Sequence, residues 1–175
     1  YSAFSRMHVQ KTWDAILNAP LALDDVLAGE WLWAAAKATL SGVAILIVIT
    51  ALGLVGSPLA LLTIPVIFLI GLTFAAFGLI VTALARSFDF FMYYFTLFVT
   101  PMILLCGVFY PVEQLPAALQ TVAGALPLAH AIRIVRPLLL GTWPTDIGLH
   151  IGALLFSAFA AYWVALILTR RRLLA

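Results

Sequence analysis

Charged side chains are what this sequence has least of. They make up 9% of its 175 residues against 65% apolar ones, and none falls between Lys37 and Arg86. A soluble domain carries about a quarter of its residues as charges, so this balance points to an integral membrane domain. The apolar runs are too long for a signal peptide. The net charge of +2 is too small to suggest a nucleic-acid partner. Cysteine occurs once, at Cys106, which excludes an internal disulfide framework and a cysteine-rich metal site. Deep in an apolar run, Cys106 is expected to act as a small buried apolar side chain rather than a reactive thiol.

Several kinds of chemistry are missing as well. The two lysines, Lys11 and Lys37, have no glycine-rich P-loop around them, so ATP is not bound by that route. The histidines His8, His130 and His150 are scattered, with no His-Glu-x-x-His pairing or acidic cluster, and no metal site is expected. Ser41 and Ser57 lack a nearby base, which argues against a serine hydrolase. No catalytic or cofactor-binding residue can be nominated. The apolar runs also lack ionisable groups at their midpoints, where ion-driven carriers keep relays and counter-ions. Lys37 is only about two turns into its run and can snorkel to the surface. Any work on a solute would draw its energy from a separate partner enzyme.

What is present reads as four spanning helices: Trp31 to Leu54, Leu59 to Ala85, Phe90 to about Phe109, and Ile147 to Thr169. Gly56-Ser57-Pro58 is expected to make the tight turn between the first two. Placing the N-terminal segment inside puts Arg6, Lys11, Lys37, Arg86 and the Arg170-Arg171-Arg172 tail on the cytoplasmic side, leaving only Arg133 and Arg136 outside. Tyr1 is no initiator, and an N-terminal portion with further helices is expected to precede it. Residues 1–30 form a polar cytoplasmic stretch. Within it Asn18 is a plausible cap, Pro20 suits a first turn, Leu23, Val26 and Leu27 share a face, and Gly29 is placed to end a helix. That short helix could float at the interface or be gripped by a cytoplasmic partner.

Between the last two spans, Phe109 to Gly141 is largely apolar yet cut by Pro111, Pro116 and Pro127. Its pieces are shorter than the roughly 20 residues a span requires. Broken backbone at membrane depth needs protein or a wet cavity around it, which suggests a gate or a path on the outer face. Glu113 and Asp146 mark its edges. Gly71, Ala75 and Gly78 make a small-residue groove, for internal packing or for a second copy. Phe88, Phe90, Phe91, Tyr93, Tyr94, Phe95 and Phe98 form either an interfacial belt or a slippery wall for a sugar or lipid. Thr100-Pro101 is expected to kink the third span. His130, Arg133 and Arg136 recur every third residue, for outer anchoring or for contact with an emerging anionic group.

Thr100-Pro101, Gly107-Val108-Phe109-Tyr110-Pro111, Leu115-Pro116, Leu126-Pro127-Leu128, His130, Arg136 and Gly141 together resemble the signature of type-2 ABC transporter permeases. Phe4-Ser5-Arg6-Met7, Pro20-Leu21, Asp24 to Val26 and Gly29-Glu30 narrow the likeness to the NodJ-like permeases of nodulation lipo-oligosaccharide exporters. The resemblance implies an all-α, polytopic transmembrane bundle of six spans, of which the chain holds the third to sixth, with re-entrant helices over 110–146. It implies a multi-pass protein of the bacterial inner membrane that is not itself an enzyme. A separate ATPase subunit would hydrolyse ATP, and a second permease copy would complete a homodimer among membrane lipids. The cargo would be an amphiphilic or lipid-linked glycan; drug and polysaccharide exporters share much of the pattern, and a membrane scaffold is the rival class. Leu23, Asp24, Asp25, Leu27 and Glu30 would belong to the coupling helix that docks on the ATPase. Thr100, Pro101, Tyr110, Glu113, His130 and Arg133 would line the exit gate or substrate path.

Overall fold

The computed structural model describes residues 2–10, 22–85, 87–109, 114 and 116–173, and no strand occurs among them. Helix α1 starts at Ser2–Phe4 and widens to a π turn over Ser5–Val9. Then come α2 (Leu23–Ala51), a 3₁₀ turn at Pro58–Leu62 leading into α3 (Thr63–Leu84), and α4 (Asp89–Leu105). Two shorter helices, α5 (Ala117–Ala125) and α6 (Pro127–Leu140), precede the final α7 (Ile147–Leu173).

Three of these helices are long and apolar enough to cross a membrane: Leu23–Ala51, Pro58–Leu84 and Ile147–Arg172, with 29, 27 and 26 residues. At 1.5 Å per residue each exceeds the roughly 30 Å of a bilayer core. The second and fourth expected spans match closely. Ser57 caps the former by accepting the Leu59 N–H at 3.3 Å, and Pro58 takes the first-turn position that needs no donor.

The first span differs. One unbroken helix runs from Leu23 to Ala51, so the short helix expected to stop at Gly29 is the first turns of α2. Gly29 is only a modest cost inside a helix, about 1 kcal/mol relative to alanine. The turn that follows it is fixed from afar: Trp31 Nε1 donates to Leu72 O at 2.7 Å, and the Trp31 ring stacks on Tyr162 at 4.3 Å. Asp25 secures the N-terminus by accepting the Ala22 N–H at 3.2 Å. The helix ends instead at Gly53, whose φ of +70° closes a Schellman motif with Gly53 N–H on Thr50 O and Leu54 N–H on Ile49 O, both 3.0 Å.

The expected third span, Phe90 to about Phe109, is shortened to the 17 residues of α4, roughly 26 Å at 1.5 Å per residue. Pro101 has no N–H to give. The helix answers with a π turn over Phe95–Val99. The expected kink therefore takes the form of a widened turn, sealed by Thr100 Oγ1 donating to Phe95 O at 3.0 Å.

Helix α3 is the spine, packed between α2 and α7. Small residues let the backbones approach: Ala35, Ala76 and Ala165 are completely buried, and a Cβ added at Gly71 would lie 3.1 Å from Ala35 Cα. Gly71 thus belongs to internal packing. Thr73 Oγ1 adds a polar tie, shared between Leu69 O at 2.9 Å and Leu154 O at 3.2 Å. Helices α5 and α6 meet at an 82° bend, where Leu126 is extended and Pro127 starts the next helix. Helix α6 buries Ala131, Ile134 and Leu138 against Val66 and Leu154, near the starts of α3 and α7. It lies across one end of the bundle and does not run its length. Gly56 N–H donates to Leu139 O at 2.9 Å and locks the α2–α3 turn onto the end of α6.

Candidate functional site

The bundle has two chemically distinct ends. At the end carrying the α2–α3 turn, α6 brings its polar residues to different partners. His130 Nδ1 lies 2.8 Å from His150 Nδ1, on the first turn of α7. One ring must donate and the other accept, so a neutral pair can hold this contact and a doubly protonated pair cannot. Burial, then the His150 charge, then Arg133 hold His130 below the ordinary histidine range. Two of the three histidines expected to be scattered are therefore partners. Arg136 turns away from them and donates to Gly107 O at 2.9 Å, the carbonyl of a left-handed glycine just past α4. The three-residue spacing drifts around a 3.6-residue helix, so His130 and Arg136 do not work as one stripe. Arg133 is exposed between them.

Of the other expected path residues, Thr100 and Pro101 lie in the π-turn region of α4, both exposed, and the Thr100 hydroxyl is committed to its own helix. Tyr110 and Glu113 lie outside the described residues. Two joints tie α6 to its neighbours, one to α7 through the histidines and one to α4 through Arg136.

The opposite end is basic. Leu23 and Leu27 are buried with Val26 against Met7 and Leu166 of this same chain, so they do not present a docking face. Asp24 pairs with Arg170 on α7, through both Nε at 3.0 Å and Nη2. Glu30 accepts from Arg6 Nη2 at 2.5 Å, tying α2 to α1. Asp25 is exposed and spends one oxygen on the helix start. Arg172 Nη1 donates to Thr82 O at 3.0 Å and Ala83 O at 2.8 Å, which satisfies two carbonyls at the end of α3 and suits the negative end of its dipole. Leu23, Leu27, Asp24 and Glu30, four of the five residues expected to grip a partner, brace α2 within its own bundle, whereas Asp25 stays exposed. Reading the sequence missed these ties because each joins residues far apart in the chain; complementary charges at Arg6 and Glu30 and at Asp24 and Arg170 were the only trace.

The aromatic cluster falls on α4. Phe88 and Phe91 meet Phe4 edge-on at 5.0 and 5.3 Å, and Tyr94 stacks on Phe98 at 5.5 Å. Between α4 and α3 runs an apolar groove of about 530 Å³, walled by Phe77, Leu84, Tyr93, Tyr94 and Phe98. Among the described residues no group of three histidine, cysteine or acidic side chains could hold a metal.

Long apolar helices packed through small residues, capped at one end by a sharply bent helix pair, define a polytopic membrane domain. The chain belongs to the ABC-2 type transporter family, whose model matches residues 1–140. It is 46% identical over 174 residues to nodulation protein J of Rhizobium meliloti (strain 1021), covering 99% of this chain and 66% of that protein. Nodulation protein J of Rhizobium leguminosarum bv. trifolii matches equally, and that of Bradyrhizobium diazoefficiens is 43% identical, again over 99% of this chain and 66% of its own length. The chain therefore spans just under two thirds of the length of these relatives. No solved structure matches it.

Proposed function

We propose that this chain is part of the permease subunit of an ATP-driven exporter that moves an amphiphilic, lipid-bearing oligosaccharide out across the bacterial inner membrane. The observation that carries the reading is the 42–46% identity to nodulation protein J sustained over essentially the whole chain, in a family of ABC transporters. The reading leaves ATP hydrolysis to a separate cytoplasmic subunit, in keeping with a sequence that carries no P-loop. The absence of charge through the spans suits a cargo that is itself partly apolar.

In this reading the basic end faces the cytoplasm, as the distribution of arginine favours, and the bent α5–α6 pair lies on the outer face. The ATPase docks at the basic end. Leu23 and Leu27 are not contact residues there; Asp25 is the exposed member of the expected set. Motion at the base reaches α7 through Asp24–Arg170 and α1 through Arg6–Glu30. The aromatic groove between α3 and α4 is the stretch suited to a lipid chain. His130, Arg133 and Arg136 lie on the exit side.

The test is co-purification of the full-length permease with its ATPase, followed by uptake of a radiolabelled lipo-oligosaccharide into inverted vesicles. ATP-dependent uptake supports the reading. A folded protein that captures no ATPase would instead favour a membrane scaffold, and turnover stimulated only by drugs or by polysaccharide would assign those cargoes.

A further inference from the structure

His130, on the first turn of α6, and His150, on the first turn of α7, hold their Nδ1 atoms 2.8 Å apart with the ring centres 5.0 Å apart. His150 is 5% exposed, so its ring has no water to turn into while α6 is in place. Its N–H donates to Asp146 O at 3.2 Å, which fixes its backbone at the positive end of α7. The charged groups around the pair are few. Arg133 stands one turn further along α6 and Asp146 precedes α7, both exposed. Arg136 is turned to Gly107 O, and neither α3, the turn at Pro58–Leu62 nor α5 carries a charged residue.

The neutral pair is held by one N–H···N bond, from a ring protonated at Nδ1 to a ring protonated at Nε2. A first proton leaves that bond in place, because an imidazolium still donates to a neutral ring. A second proton sets two Nδ1–H groups against each other with no acceptor between them. It also puts two like charges in contact, beside Arg133 and the positive end of α7. The closed contact therefore takes up one proton and excludes the second. Burial, then the His150 charge, then Arg133 hold His130 below the ordinary histidine range, in keeping with a reluctant second protonation.

Helix α6 is held differently along its length. Its later turns are fixed by Ile134 and Leu138 packing on Val66 and Leu154, and by Gly56 N–H on Leu139 O at 2.9 Å. Its first turn follows the extended Leu126 at the 82° bend, and the histidine bond is what ties that turn to α7. We propose that this contact is a two-proton latch. It holds the bent α5–α6 pair against α7 while the histidines share no more than one proton, and it releases α5 and the first turn of α6 when both rings are charged. The device does not depend on the cargo; in the orientation proposed above it answers to acidity at the outer face.

The test is hydrogen exchange read by mass spectrometry on the full-length protein in nanodiscs, at about pH 7.5 and about pH 5, with labelling times scaled to the intrinsic exchange rate. Because the second proton binds only the open form, opening rises about tenfold per pH unit once the closed pair holds its single proton. Protection over residues 117–130 should therefore fall at least about tenfold at the lower pH, while residues 133–140 and α3 keep theirs. His130→Asn leaves His150 a hydrogen-bonding partner that cannot be charged, and should keep residues 117–130 protected at both pH values. Protection indifferent to pH in the unsubstituted protein would overturn the proposal, as would a loss that persists in His130→Asn. A loss spread evenly over α3 and α6 would overturn it too, because the bundle would then be unfolding as a whole. If His130→Asn does not fold, His150→Phe, an apolar ring at the buried position, carries the same comparison.

Discussion

Gly71 and Gly78 are two turns apart on α3 and offer a controlled test of how the bundle is packed. Alanine at Gly71 would put its Cβ 3.1 Å from Ala35 Cα, 3.1 Å from Ala38 Cβ and 3.2 Å from Ala35 O. Two of these neighbours are backbone, which cannot rotate away, so α2 and α3 must separate by a few tenths of an ångström. Alanine at Gly78 meets nothing within 4 Å. Both substitutions gain the same helix propensity, about 1 kcal/mol over glycine. The difference between the two variants therefore cancels propensity and isolates the clash, which overpacking data place at about 1–3 kcal/mol.

For a protein of this size each kcal/mol moves a melting midpoint by about 2–4 °C. Gly71→Ala should thus melt roughly 2–12 °C below Gly78→Ala, with Gly78→Ala at or above the unsubstituted protein. Size-exclusion chromatography of heated, fluorescently tagged full-length protein in mild detergent reads both midpoints. Equal midpoints would refute the close approach of α2 and α3. So would a Gly71→Ala midpoint that moves with protein concentration, because that would place Gly71 at a seam between copies rather than inside one.

The two ion pairs at the basic end should behave differently. Arg170→Ala removes a solvent-exposed pair and should leave the melting midpoint of the purified protein essentially unchanged. Glu30→Gln leaves Arg6, whose Nε is already buried without a partner, and should cost more, on the order of 1–3 kcal/mol; similar losses would contradict the geometry. Arg136→Gln breaks a charge-assisted bond to Gly107 O, costing about 1.5–3 kcal/mol; faster chymotrypsin cleavage after Phe109 reports the loosened joint, and an unchanged digest would refute it. His130 is held below its ordinary value of about 6.5. A depressed histidine contributes nothing to pH dependence above the unfolded value and destabilises the fold as pH falls below it. Melts should therefore drop as pH falls below about 6.5, and His130→Phe should flatten that slope; a slope unchanged by the substitution would remove the histidine joint.

The second and last spans were legible because their limits are local. Pro58 can only start a helix, Ser57 can only usefully cap one, and the arginine tail ends the apolar run. The end of the first span was misplaced for a related reason. Gly56-Ser57-Pro58 looks like the turn, whereas Gly53 closes α2 through a left-handed φ and Gly56 serves a contact 84 positions away, where a Cβ would lie 2.6 Å from Leu140 O. Gly29 showed the opposite failure: a local stop signal was overridden by Trp31 reaching Leu72. The site was legible in composition only. His130 and His150 were both visible, but the bend at Leu126 that turns α6 onto α7 decides that their rings meet.

The continuity of α2 changes what its base can do. A separate coupling helix joined through a flexible Gly29 would act as a hinge, and displacement at the docking surface would be absorbed at the joint. A 29-residue helix whose first turns are buried against Met7 and Leu166 and ion-paired to α1 and α7 is a lever instead. Displacing its base must carry α3 with it, because Ala35 and Gly71 interlock, and α7 as well, through Trp31 and Tyr162. Helix α4 is anchored mainly at its start, where Phe91 is buried with Phe4, Val81 and Ala85; beyond that its shared surface with α3 is an open apolar groove, and Arg136 holds the carbonyl of Gly107, two residues past its end. Relative motion is therefore cheapest between the α2–α3–α7 unit and α4, where apolar surface slides on apolar surface and few hydrogen bonds break. On the proposed function, any change that stiffens this groove should slow the export cycle without lowering stability.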